Sequence, residues 1–325
     1  MHNLVEFFAQ CARSGTLLAS LCAIVIIPAG AWLACRVLVS RIVCMTDDPA
    51  WQAPLAALAA ALPGALFVAL WIGALFGGLS SACLSLPAGR VVLGTIIAAM
   101  IAALVRATWL AFARFADIRR LLRSSSDPSP RLRQIAMSCG LKARELQDEA
   151  PICVLAGIVS PCALVSTAAL SAITDNELRA ALHHEQAHAR RGDQILAALL
   201  SFLTDLLPLP ATDLIDTYKM ARELAADEYA SIATDAESLA GALIKFAKGG
   251  RSLVATAGLV DGRKSGIATR LQTLLRTESR RRQPNALNRL IVSAALAVIA
   301  LAGVTTPALA SRQPATCSIT MGAQS

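Results

Sequence analysis

Charged and aromatic side chains are scarce in this chain. Of its 325 residues, 16% are Asp, Glu, Lys or Arg and 4% are aromatic, while 55% are hydrophobic. An ordinary soluble domain carries about 25% charged residues, so the composition excludes a wholly water-exposed fold and points to a membrane protein. The deficit is concentrated. Residues 15–35, 53–89 and 91–105 contain no charge at all, and a further apolar run covers 290–310. A spanning helix needs about 20 predominantly apolar residues. The runs predict four transmembrane helices, at about 15–37, 56–78, 91–113 and 289–310. The first is too long for the apolar region of a signal peptide. Arg36 and Arg289 stand at the ends of predicted spans, and Arg106 is the one charge further inside, where it is expected to snorkel toward the interface. With no other charge deep in the spans, a transporter or channel is a poor reading. The apolar stretch from Ile195 to Pro210 is too short to cross a bilayer. It is expected to pack on the soluble core or to lie at the membrane interface.

Cysteine pairs of metal-binding or redox spacing are also missing: nine cysteines include no C-x-x-C. Cys22, Cys35, Cys139, Cys153 and Cys162 are expected to be free thiols. Cys11, Cys83 and Cys317 would face the outside, where a disulfide is chemically open. Histidine is rarer still, with four in the chain, and three of them stand at 183, 184 and 188.

The charge that is present lies between the third and fourth runs. Residues 114–289 hold 24 of the 30 basic and 19 of the 22 acidic residues. Arg114, Arg119, Arg120 and Arg123 flank one side of this segment and Arg280, Arg281, Arg282 and Arg289 the other. By the positive-inside rule the segment is cytoplasmic and both termini lie outside, as in a multi-pass protein of a bacterial-type inner membrane. The expected division is three spans in 1–115, a cytoplasmic domain in 116–286, a fourth span in 287–311 and a short outer tail in 312–325. The net charge of +8 reads as a collar on anionic lipid, not as a nucleic-acid surface.

Within the charged segment, residues 124–130 are rich in Ser and Pro and read as a linker. Leu132–Glu145 shows helical spacing, and Pro151–Ser166 reads as two short strands around a turn. Thr174 and Glu177 form a capping-box pattern that opens a helix, and Gly192 ends it. Further helices are expected at about 213–232, 235–246 and 265–276. The fold class is therefore mainly α, four spans with a cytoplasmic domain that contains a small β-sheet.

The helix opened by Thr174 carries His184-Glu185-Gln186-Ala187-His188. Residues four apart on a helix share a face, so both imidazoles can hold one zinc ion. The glutamate between them is placed to act as a general base. Catalytic zinc takes three protein ligands, and every histidine of the segment lies in or beside the motif. The third ligand must then be a carboxylate. Glu223 and Asp227 share a face of the next long helix: one can bind the metal while the other orients a ligand histidine. His183 stands one residue off the ligand face and is expected to point away. Asp193 reads as stabilising the helix end or a neighbouring loop.

His184-Glu185-x-x-His188 followed some 35 residues on by Glu223-x-x-x-Asp227 resembles the gluzincin class of metallopeptidases. The strand pair with Gly157 and Pro161, Glu177-Leu178 before the motif and Arg190-Arg191-Gly192-Asp193 after it narrow the resemblance to BlaR/MecR-type antirepressor membrane zinc metallopeptidases. The layout of three spans, zinc domain and one more span agrees. The resemblance implies Zn2+ held by His184, His188 and Glu223, with Glu185 as catalytic base and Asp227 as the partner of His184. It implies a protein or peptide substrate, in the regulatory form a cytoplasmic transcriptional repressor. The chain departs from the sensor members of that family: only Ser311–Ser325 follow the last span, in place of a large extracellular penicillin-binding domain. Two other readings stay open, an HtpX-like quality-control protease and a non-catalytic membrane signalling or scaffold protein that retains the site.

Overall fold

A computed structural model describes residues 29–30, 32–37, 49–73, 87–158, 160–207, 212–248 and 264–277. Nearly all regular structure in these residues is helical, with one small sheet. Two helices are long and apolar enough to cross a membrane: α1 (Pro49–Gly73), through Gln52–Ala69, and α2 (Pro87–Ser124), through Ile97–Ser124. The expected spans at 56–78 and 91–113 fall largely on these two. The one at 289–310, most of the one at 15–37, and Cys11, Cys83 and Cys317 lie outside the described residues.

The chain divides into two compact units, one of residues 1–30, 65–99 and 286–325, the other of 31–64 and 100–285. The described part of the first consists of helical segments. The second contains everything that follows.

α2 corrects the expected linker. The helix continues to Ser124, and Ser125–Ser126 are a two-residue strand, β1, paired antiparallel with Leu146 and Glu145. The expected helix over Leu132–Glu145 is also cut short. α3 runs from Pro130 to Ser138 and then stops at Gly140, whose φ of 64° is left-handed. The Gly140 amide bonds back to Met137 and the Leu141 amide to Ala136, closing a Schellman turn. The chain then extends as β2 (Ala143–Leu146). Helical spacing holds over 132–138, the first half of the expected helix. The glycine decides where it ends.

The two expected strands are present as β3 (Cys153–Ala156) and β4 (Cys162–Ser166), paired antiparallel. At their turn Gly157 has φ 94°, and a Cβ there would lie 2.7 Å from the Ser160 carbonyl, so glycine is required. The sheet order is β1-β2-β4-β3, with β2 and β4 parallel. β4 is central and buried along its whole length, while β3 forms an edge. Ser166 ends β4 and caps the short helix α4 (Thr167–Ala172) by accepting from the Ala169 amide.

α5 (Asp175–Arg191) is the axis of this unit. Its start has the full capping box: Thr174 Oγ1 accepts from the Glu177 amide and Glu177 accepts from the Thr174 amide. Leu178 and Leu182 bury one side of it against Leu132, Ile135, Leu155 and Val165. Ala180, on another side, packs with Ala230, Leu239, Leu243 and Leu274. These come from α7 (Thr212–Ala233), α8 (Ala236–Lys248) and α9 (Lys264–Thr277). α5 leads through Gly192, left-handed at φ 67°, directly into α6 (Asp193–Leu206). A helix covered on so many sides exposes little, so polar groups on it are held by protein partners rather than water.

Candidate metal centre

α5 and α7 pack side by side and bring together residues far apart in sequence. His184 and His188, one turn apart, turn their Nε2 atoms toward each other at 3.1 Å. Glu223 on α7 completes the group: its Oε2 lies 3.3 Å from His184 Nε2 and its Oε1 3.4 Å from His188 Nε2. One donor atom from each of the three residues lies within 4.8 Å of the others. The two imidazoles are buried, and Glu223 is half-buried.

The other ring nitrogens explain the orientation. His184 Nδ1 lies 2.9 Å from Asp227 Oδ1. His188 Nδ1 lies 2.6 Å from Asp193 Oδ2. Asp193 hydrogen-bonds His188 Nδ1 and Asp227 lies at ion-pair distance from His184 Nδ1; a carboxylate beside each Nδ1 favours a proton there and leaves the Nε2 lone pairs facing one point. Two such lone pairs at this separation repel unless a cation or a proton lies between them. Two imidazoles and a carboxylate, each oriented from behind, form the donor set that suits Zn2+. These residues therefore fit a zinc ion.

The electrostatics of the metal-free site agree. Burial disfavours a charged His184, yet Asp227 and Glu223 outweigh it and raise its pKa to about 9. The site attracts positive charge strongly enough to take up a proton where no metal is bound. Burial also opposes ionisation of Glu223, but His188, His184 and Arg270 hold its carboxyl well below the usual range. For Glu185 burial wins. Its carboxyl is pushed above the ordinary carboxylate range despite the two imidazoles and a bond from the Leu155 backbone amide. Leu155 belongs to the edge strand β3, so that strand runs past the glutamate.

Two residues of this centre were not assigned to it from sequence. Asp193 was read as a helix-end residue. In the structure it is 5% exposed and fixes His188, with Arg191 donating to the same Oδ2 at 2.8 Å. It stands five residues beyond His188, past the left-handed break at Gly192, so helical periodicity does not reach it. Arg270 is the other. From α9 its Nε and Nη2 clamp both oxygens of Asp227 at 2.7 and 2.6 Å, and its Nη1 lies 3.1 Å from Glu223 Oε2. No spacing in the sequence signals an arginine 43 residues beyond its partner.

His183 faces away from this centre. Its Nδ1 pairs with Gln186 Oε1 at 3.1 Å, and Tyr229 donates to the same oxygen at 3.0 Å. Gln186 Nε2 in turn donates to the Cys139 carbonyl, tying α5 to the end of α3. The spacer residue of the motif is thus a structural tether. Cys35, Cys139, Cys153 and Cys162 are free thiols, as expected, and Cys22 lies outside the described residues.

The family model described as BlaR1 peptidase M56 matches residues 85–274, more than half of the chain. The match includes α2, the sheet and all five residues around the two imidazoles. No curated protein matches the chain.

Proposed function

The chain belongs to the BlaR1 peptidase M56 family of membrane-associated metallopeptidases, and on that premise we propose that it is a zinc endopeptidase cleaving a protein on the cytoplasmic side of the membrane. The observation that carries this reading is the convergence of His184, His188 and Glu223, with both histidines oriented from behind by buried carboxylates. Zn2+ in such a site would polarise the scissile carbonyl and acidify the attacking water, bringing its pKa to about 7.

The remaining chemistry falls to residues of the chain. Glu185, beside His184 and buried, accepts the proton of the attacking water and passes it to the leaving amine. Its carboxyl lies above the usual range because of burial, which suits a group that must both take and return a proton. Asp227 and Asp193 keep the imidazoles in one tautomer throughout. An extended substrate adds to the edge of β3 by main-chain hydrogen bonds, which lays its scissile bond beside Glu185. A complete set of base, donors and orienting carboxylates argues against a scaffold that has lost chemistry.

The family membership supports a regulatory role, with a cytoplasmic transcriptional repressor as the substrate class, and the basic flanks of the soluble segment support its facing the cytoplasm. The test is zinc analysis and cleavage by purified wild-type protein beside Glu185→Ala. Both are expected to hold about one zinc per chain, and wild type alone to cleave itself or a co-expressed repressor. Wild type without zinc would end the metallopeptidase reading, and equal cleavage by the two proteins would remove Glu185 from its role.

A further inference from the structure

We propose that the outer face of α6 is a lipid-facing surface, which seats the metal centre at the membrane boundary. This rests on the family's membrane association and stands whether or not the site is a peptidase.

Among the described residues, α6 carries an apolar stripe that is left exposed over its first half and only partly covered over its second. Ile195, Leu199, Phe202 and Leu206 fall at intervals of three and four residues and share one face. Ile195 is 56% exposed and Leu199 51%, whereas Ala197 and Leu200 on the inner side are buried. Phe202 and Leu206 are half-buried. Ile195 and Leu199, this exposed and in line with the half-buried Phe202 and Leu206, mark a surface that meets something other than water.

The polar groups of the helix point the same way. From Ile195 to Leu206 its one charge is Asp205, and Arg114 of α2 neutralises it at 2.5 Å. The Thr204 hydroxyl is satisfied within the helix, donating to the Leu200 and Ser201 carbonyls. Ions and hydroxyls that are already paired can be placed against hydrocarbon at low cost.

What identifies the occupant is the pair of helices at the C-terminal end of α6. Among the described residues, these are the two long and apolar enough to cross a membrane. Arg106, a charge within the α2 span, donates to the Asp205 carbonyl at 2.6 Å and to the Leu207 carbonyl at 3.4 Å. An arginine in a span is expected to pair with backbone carbonyls, and here it also caps the negative end of α6. On α1, Gly64 approaches so closely that a Cβ would lie 2.8 Å from the Leu203 carbonyl. α2 itself exposes Ile101, Leu104, Val105, Trp109 and Phe112. The apolar face of α6 is therefore continuous with the helices that meet lipid.

Length sets the depth. At 14 residues α6 is about 21 Å long, shorter than the roughly 30 Å hydrocarbon core, so it enters from one side without crossing. Its other end is Asp193, which holds His188. One helix thus joins the orienting carboxylate of the metal centre to the arginines of a span.

The test uses the full-length chain in vesicles of phosphatidylcholine and phosphatidylglycerol. The photoreactive residue p-benzoylphenylalanine replaces Leu199, Phe202, Phe112 or Leu275 one at a time, and the irradiated protein is weighed. Leu199 and Phe202 are expected to gain the mass of one phospholipid, as Phe112 does. Leu275, 76% exposed on α9, is expected not to. Cross-links from 199 and 202 to a second copy or to another segment of the chain would overturn the proposal. So would adducts no more abundant than at 275. Because a variant can misfold, hydroxyl-radical oxidation of the unmodified protein in the same vesicles is read alongside. Leu199 oxidised as fast as Leu275 would also overturn it.

Discussion

Replacing Asp193 with alanine separates an orienting role from a structural one. The carboxylate lies 2.6 Å from His188 Nδ1, and both side chains are 7% exposed and so shielded from bulk water. Its loss frees the ring to rotate and to change tautomer. Losing an outer partner of a ligand histidine lowers metal affinity by about 10- to 100-fold, which is about 1.4–2.7 kcal/mol. The stability cost in the metal-free protein is smaller than for the parallel change at Asp227. Arg191, relieved of its partner, is 32% exposed and keeps its bond to the Arg222 carbonyl. The unsatisfied buried ring N–H costs about 1–3 kcal/mol. Asp227→Ala instead takes both Asp227 bonds from the part-buried Arg270 and leaves it Glu223 alone, and breaking a buried pair on one side costs about 3–5 kcal/mol. The assay is competition for zinc against a chelator of known affinity, with thermal melts of the metal-free proteins in parallel. Both variants are expected to lose zinc affinity, and Asp227→Ala is expected to lose more stability. Asp193→Asn restores an acceptor and is expected to recover most of the affinity. If Asp193→Ala binds zinc within about twofold of wild type, Asp193 does not orient His188. It would then be only the first residue of α6.

Other consequences follow from single contacts. Arg270→Gln removes the clamp on Asp227, which is 2% exposed, and should destabilise the metal-free protein by about 3–5 kcal/mol in urea unfolding; a loss below about 1 kcal/mol would contradict the assigned geometry. Glu177 accepts from Lys245 at 2.6 Å and from the Thr174 amide at 2.7 Å. Burial opposes its ionisation, but these bonds hold its carboxyl below the ordinary 4.5. Its contribution to stability is therefore complete above pH 4.5 and is lost as pH falls through the lower folded value. Melts of Glu177→Gln should be less stable at neutral pH and flatter across that acidic range; parallel curves would remove Glu177 as a source of the acid dependence. Gly192→Ala should cost about 1 kcal/mol, since its φ of 67° is strained for alanine but the space is open. Gly157→Ala should cost more, because a φ of 94° is combined with a contact of 2.7 Å to the Ser160 carbonyl. Equal melts for these two would undercut the reading of the β3–β4 turn.

Much of this protein was legible in the order of its residues, wherever the signal was local. Thr174 and Glu177 mark the start of α5 because both halves of a capping box lie within one turn. Gly192 marks its end because few other residues take a left-handed φ freely. His184 and His188 share a face because four residues make about one helical turn. Glu223 and Asp227 share a face for the same reason. The spacing of apolar and turn residues placed the β3–β4 hairpin as well. Where competing local signals overlapped, pattern alone misled. Residues 132–145 keep helical spacing throughout, but Gly140 and the pairing of β2 with β4 turn the second half into strand. Ser125 and Ser126 look like linker and become an edge strand because Leu146 and Glu145 offer them backbone partners.

By itself the sequence determined which side chains could hold a metal and that they would stand in pairs on two helix faces. It also determined that the chain is too poor in charge to be soluble throughout. Only the tertiary structure decided that those two faces meet, because the packing of α5 against α7 and α8 depends on Ala180, Ala230 and Leu239, whose sequence spacing carries no sign of contact. The structure alone drew in Asp193 across a backbone reversal and Arg270 from a third helix. The physical reason is one of range. Helix periodicity and turn chemistry act over a few residues, whereas pairing a buried charge requires an opposite charge from wherever the fold can bring one.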